Sequence, residues 1–137
     1  MAAYLADSSV LLDVLTDDPD WAEWSVHHLE KALGEGSVFI NPIVYAEISL
    51  SFSRIEDLET ALAESGLIWS ELPRAALFLA GRAFRNYRMS GGSKSAPLPD
   101  FFIGAHAAVS NLVLITRDPR RIRTHYPTVR VSCPPGQ

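Results

Sequence analysis

The stretch Leu112-Val113-Leu114-Ile115-Thr116-Arg117-Asp118-Pro119 decides the architecture. An uninterrupted apolar run this short reads as a strand buried on both faces, the habit of parallel sheets covered by helices. We place that strand at Val113–Thr116. Working outward, Tyr4–Ala6 and Ser37–Ile40 read the same way, Leu67–Trp69 reads as a strand or a connector, and Val129–Val131 as a last short strand. Helical segments alternate with them. Val10–Leu15 has Ser8 or Ser9 available as cap. A second helix starts with Asp18 as N-cap and Pro19 at the first helical position, runs to about Leu33, and is stopped by Gly34 and Gly36. Asn41-Pro42 opens a third, through about Ser51. Ile55–Ser65 ends at Gly66, and Pro73 starts a long helix to about Met89. Ser90–Pro99 is loop by composition, Asp100–Asn111 a helix, and Pro119–His125 a helical turn. The expected fold is a three-layer α/β/α domain with a short, mainly parallel central sheet over residues 1–131, followed by a tail at 132–137.

At 137 residues, 47% hydrophobic and 20% charged, the composition is that of an ordinary globular chain with a real core. No apolar run approaches the roughly 18 residues of a membrane span. The start lacks a basic region, and Asp7 interrupts any signal-peptide core. A cytoplasmic protein with no membrane partner is expected. The single cysteine, Cys133, excludes an intrachain disulfide framework and a thiolate zinc cluster.

Charge is segregated along the chain. Residues 1–71 hold fourteen Asp/Glu against two Lys/Arg; residues 72–137 hold two Asp/Glu, Asp100 and Asp118, against ten Lys/Arg. Asp7 and Asp118 each lie just past an expected strand end, where parallel sheets bind ligands. Glu47 and Asp100 lie on helices within reach of the same edge. Taken singly, each acid reads as a helix cap or a solvated charge. Together they repel, by roughly 4 kcal/mol for two unit charges about 4 Å apart at an effective dielectric near 20. They would take up protons unless a cation joined them. An all-oxygen donor set suits Mg²⁺ or Mn²⁺, which activates water for attack on phosphorus and offsets phosphate charge.

The chain resembles a PIN domain of the VapC toxin type. The motifs that carry the resemblance are Asp7-Ser8-Ser9, Asn41-Pro42-Ile43-Val44-Tyr45-Ala46-Glu47, Pro99-Asp100-Phe101-Phe102-Ile103-Gly104-Ala105-His106-Ala107 and Leu114-Ile115-Thr116-Arg117-Asp118-Pro119. It runs from Tyr4 to Val131. It implies that Asp7, Glu47, Asp100 and Asp118 hold the metal, with Ser8 and Thr116 as supporting hydroxyls. It further implies an Mg²⁺- or Mn²⁺-dependent endoribonuclease, a toxin of a type II toxin–antitoxin pair, forming a homodimer silenced by a small cognate antitoxin. Two departures are visible. Ser9 stands where asparagine is common, and the glycine often found four residues after Glu47 is missing.

The basic half supplies candidates for binding RNA phosphates, a role that gives affinity with little sequence information. Arg82, Arg85 and Arg88 form a stripe on the long helix, with Leu77, Ala80, Phe84 and Tyr87 expected to face inward. Arg117, Arg120, Arg121, Arg123 and Arg130 cluster about Asp118. We take Arg82, Arg85, Arg117, Arg120 and Arg121 as the RNA-contacting set. His106 is read as a packed helix residue, His27-His28 as a surface pair, and Trp21 and Trp24 as core or contact aromatics. Competing readings are a catalytically silent PIN-like RNA-binding module and an aspartyl-phosphate phosphatase. The latter usually needs a second Asp two residues after the nucleophile, where this chain has Ser9. A phospho-receiver would need a late lysine, and no lysine follows Lys94.

Overall fold

The computed structural model describes residues 2–93 and 98–136. Five strands, β1 (Ala3–Ala6), β2 (Ser37–Ile40), β3 (Ile68–Trp69), β4 (Val113–Ile115) and β5 (Val131–Ser132), form one sheet in the order β3-β2-β1-β4-β5. All four pairings are parallel; Leu5 stands opposite Phe39 on one side and Leu114 on the other. The helices are α1 (Ser8–Leu15), α2 (Ala22–Glu35), α3 (Pro42–Ile48), α4 (Ile55–Ser65), α5 (Arg74–Met89), α6 (Pro99–Ser110) and α7 (Arg120–His125). The chain steps from β1 to β2 to β3 in one direction, then returns across β1 to β4 and β5. Right-handed crossovers therefore send helices to both faces, giving three layers. Helix α1 packs on α2 and α3, while α6 packs on α5 and α7.

The central strands are apolar because they are covered twice. Leu5, Ala6, Val38 and Leu114 have no exposed surface, and Phe101 and Ile103 of α6 are buried against them. Local chemistry sets the helix ends. Asn41 Oδ1 accepts from the Val44 amide at 2.9 Å and caps α3. Gly66 ends α4 with φ of 82°, and Asn111 ends α6 with φ of 54°. Gly104 lets α7 approach α6, since a Cβ there would lie 2.4 Å from the Tyr126 ring. That ring is held by its hydroxyl, which donates to the Phe101 carbonyl at 2.7 Å.

Several boundaries move from their sequence-based positions. Helix α1 begins at Ser8, with Asp7 in the cap position but its side chain not used as a cap. Asp18 caps a turn, accepting from the Asp20 and Trp21 amides at 2.9 Å, and the regular helix starts only at Ala22. Helix α2 continues through Gly34 to Glu35 and stops at Gly36. Helix α3 ends at Ile48, followed by a 3₁₀ turn at Ser49–Ser51. The last strand is Val131–Ser132, so Ser132 pairs with Ile115 in the sheet and is not tail. On α5, Ala80, Phe84 and Tyr87 face inward as expected, with Ala76 and Ala83 beside them, whereas Leu77 is exposed. The middle of the loop expected over Ser90–Pro99, residues 94–97 including Lys94, lies outside the described residues. Among the described residues no helix is long and apolar enough to cross a membrane.

Candidate functional site

Strand order reverses between β1 and β4, and that switch point is where parallel sheets leave a crevice beyond the strand ends. Asp7 follows β1 and is tied to the end of β4, its amide donating to the Ile115 carbonyl at 2.9 Å. Thr116, fully buried at the end of β4, donates its hydroxyl to Asp7 Oδ2 at 2.8 Å and accepts from the Asp118 amide at 3.2 Å. Ser9 Oγ donates to the same Asp7 oxygen at 2.9 Å. The Ser8 hydroxyl donates to Glu47 Oε1 at 2.7 Å, joining the start of α1 to α3. Two strand ends and three helices thus bring Asp7, Ser8, Glu47, Asp100, Thr116 and Asp118 to one edge.

The acids differ in their electrostatic surroundings. Asp100 is pushed up to about 6 by burial, and then by the charges of Asp7, Glu47 and Asp118, against the opposing pull of Arg121. Glu47 is raised by burial, with the Ser8 hydrogen bond working the other way and Asp7 adding to the rise. Asp118 is lowered, because Arg120 donates to it. Leu98 and Pro119 occupy the cap positions of α6 and α7; Asp100 lies inside α6, while Asp118 Oδ1 accepts from the Arg120 amide at the start of α7 at 3.5 Å.

The arginines divide the set. Arg120 grips Asp118 with Nε on Oδ1 at 3.0 Å and Nη2 on Oδ2 at 3.1 Å. Arg121 Nε lies 3.5 Å from Asp100 Oδ2, its guanidinium over the rings of Tyr87 and Phe101. Among the described residues, no three acidic or imidazole side chains stand close enough, as placed, to share one ion. The donor chemistry nevertheless fits Mg²⁺ or Mn²⁺. Every donor is a hard oxygen, and the burial and neighbouring negative charge that raise Asp100 both penalise a bare carboxylate that a divalent cation would stabilise. Asp100 and Asp118 would have to leave their arginines to join Asp7 and Glu47 on such an ion.

Beside the acids lies an open basin of about 940 Å³, lined by Asn86, Tyr87, Arg120, Arg121, Thr124 and His125 among others. Helix α5 presents Ala83, Asn86 and Tyr87 to it, followed by the cap residue Ser90. Arg82 and Arg85 fall off that face; Arg82 lies over the Phe78 ring at 4.7 Å. The 82/85/88 stripe and the basin are different faces of one helix, so the structure does not bring Arg82 and Arg85 to the acids. Arg117 is also reassigned. Its guanidinium forks onto the buried Asp13, both contacts at 3.0 Å, and is not presented to the basin. Sequence reasoning missed Asp13, and read Asn41 only as the opening of α3. Asn41 turns its amide toward His106 Nδ1 at 3.1 Å, and Nε2 faces Ser70 Oγ at 3.4 Å. His106 is a packed residue whose basicity burial lowers. A second, apolar groove of about 290 Å³ runs between α1, α2 and α4, lined by Leu11, Val14, Val26, Leu29, Leu33 and Leu62 among others.

The sequence matches the PIN domain family over residues 4–125, and the chain belongs to that family. No curated protein matches it. Among solved structures, a chain of VapBC2 from Rickettsia felis, bound to a DNA fragment from the promoter, is similar with a TM-score of 0.73. Identity is 18%, covering 96% of this chain and 98% of that one. A chain of DNA-bound VapBC from Salmonella typhimurium gives 0.70 at 18% identity, covering 97% and 98%. A chain of VapBC-1 from nontypeable Haemophilus influenzae gives 0.71 at 15%, covering 96% and 97%. These likenesses establish the shared fold over nearly the full length of both partners.

Proposed function

We propose that this chain is the toxin of a type II toxin–antitoxin pair, an endoribonuclease that hydrolyses RNA phosphodiester bonds in the cytoplasm with Mg²⁺ or Mn²⁺. The observation that carries the reading is the convergence of the acids on the switch point of the sheet, where Thr116 and Ser9 hold Asp7, Ser8 ties Glu47 to the start of α1, and the Asp118 amide bonds Thr116. When bound, the ion would supply an activated water and offset charge on the phosphate. The chain's own residues do the rest. Asp7, Glu47, Asp100 and Asp118 would hold the ion. Ser8 orients Glu47, and Thr116 orients Asp7. Arg120 and Arg121, at the rim of the basin, would turn from the acids to phosphate oxygens when RNA enters. The backbone-contacting set is thereby reduced to these two.

The kinship with chains from toxin–antitoxin complexes supports an antitoxin partner. The groove between α1, α2 and α4 offers apolar residues of such a partner a seat. A cationic side chain of the partner, reaching Asp7 and Asp100, would displace the metal and silence the site. Two copies of the chain would form a homodimer. Induction of the chain in cells without its partner is expected to arrest growth, and Asp100→Asn to relieve the arrest. Arrest that persists in Asp100→Asn would sink this site. The silent RNA-binding alternative finds its support in the arginines that now engage Asp100 and Asp118. It predicts equal RNA binding with and without metal, and no cleavage.

A further inference from the structure

Asp13 and Arg117 have no part in the chemistry above, yet their pairing is specific. The Asp13 side chain is 2% exposed and receives three donors: Arg117 Nε and Nη2, each at 3.0 Å, and Ser25 Oγ at 2.8 Å. The guanidinium also lies 5.5 Å from the centre of the Trp21 ring. Burying such a pair brings little stability over apolar residues of the same size. What it fixes is therefore the informative point. Residue 117 is the link between Thr116 and Asp118. Ser9 and Asp13 stand four apart on α1 and so share a face. Ser9 Oγ accepts from the Arg117 amide at 3.2 Å while donating to Asp7, and Asp13 takes the Arg117 side chain. One helix face thus holds both the backbone and the side chain of the residue between two site residues.

We propose that Asp13 is a positioning residue: through Arg117 it fixes the turn that sets the Thr116 hydroxyl against Asp7 and aims Asp118 at the site. The inference rests on the metal-site reading above. Its test is Mn²⁺ affinity, measured by calorimetry on the full chain without RNA, well below the melting transition. Asp13→Asn and Arg117→Met are each expected to weaken Mn²⁺ binding about 10–100-fold, the usual cost of losing an outer support of a metal ligand. The double variant should be no weaker than the worse single, because the two residues act as one unit. A purely structural pair would lower the melting temperature and leave Mn²⁺ affinity at the wild-type value, which would overturn the proposal. Should Asp13→Asn fail to fold, the double variant, which leaves no buried charge unpaired, decides: wild-type affinity there overturns it, and reduced affinity supports it. Wild-type protein that binds no Mn²⁺, or Asp7→Asn that binds it undiminished, would instead remove the metal-site reading, and this inference with it.

Discussion

Asp100 is pushed up by burial first, and then by the charges of Asp7, Glu47 and Asp118, while the cation that opposes them, Arg121, stands at 3.5 Å. Its proton affinity in the folded chain, about 6, exceeds the ordinary value of 3.8. Its contribution to stability is therefore fully present below 3.8 and lost as pH rises through about 6. Asp100→Asn removes that loss. Thermal melts without metal should show the variant gaining on wild type between pH 5 and pH 8; a gap that stays constant or closes would contradict the assignment. Protons and a metal held by Asp100 would compete, so Mn²⁺ affinity should rise as pH increases through about 6. A titration that is flat from pH 5 to 7.5 would separate Asp100 from the metal. At this scale the acids were legible, because each follows or precedes an apolar segment. The partners of the arginines were not. Sequence gives the sign of Arg117, but only the packing of α1 against the turn reveals that Asp13 claims it.

Helix α7 carries two consecutive arginines that reach two different acids, which makes it the element where substrate and site would meet. Replacing Arg120 and Arg121 by Ala should weaken RNA binding. It should also flatten the dependence on salt, by about 0.7 in the log–log slope for each phosphate of a single strand that is no longer neutralised. An unchanged slope would return the pair to the solvated surface. Helix α7 is placed by its fit to α6 at Gly104. Gly104→Ala drives a methyl into the Tyr126 ring and should cost about 1–3 kcal/mol in urea denaturation. A neutral result would mean that α7 shifts freely. The Asp13–Arg117 clamp works at the same level. Asp13→Ala should cost about 3 kcal/mol, the low end for breaking a buried pair, since Arg117 keeps part of its solvent. The buried strands were readable as apolar runs, and the helix stops at Gly36 and Gly66 followed from glycine. The short β5 was misplaced because two residues carry too little periodicity; its position is set by pairing with β4.

Across the whole molecule, the sheet order β3-β2-β1-β4-β5 converts four acids scattered over the sequence into one edge. Alternating strands and helices made the layered fold legible in advance, whereas the strand order came only from the pairing register. The segregated charge has a structural counterpart too. The acidic half supplies α1, α2 and α4, which line the apolar groove, and the basic half supplies α5 and α7, which border the basin. A partner seated in the groove and a nucleic acid in the basin would thus meet different halves of the chain. The central claim is that these acids cut RNA with a divalent ion, and the direct measurement is cleavage of total RNA by the purified chain. The account predicts hydrolysis that requires Mg²⁺ or Mn²⁺ and disappears in Asp7→Asn, with the circular dichroism spectrum unchanged. Cleavage that persists in chelator, or that survives Asp7→Asn, would contradict it.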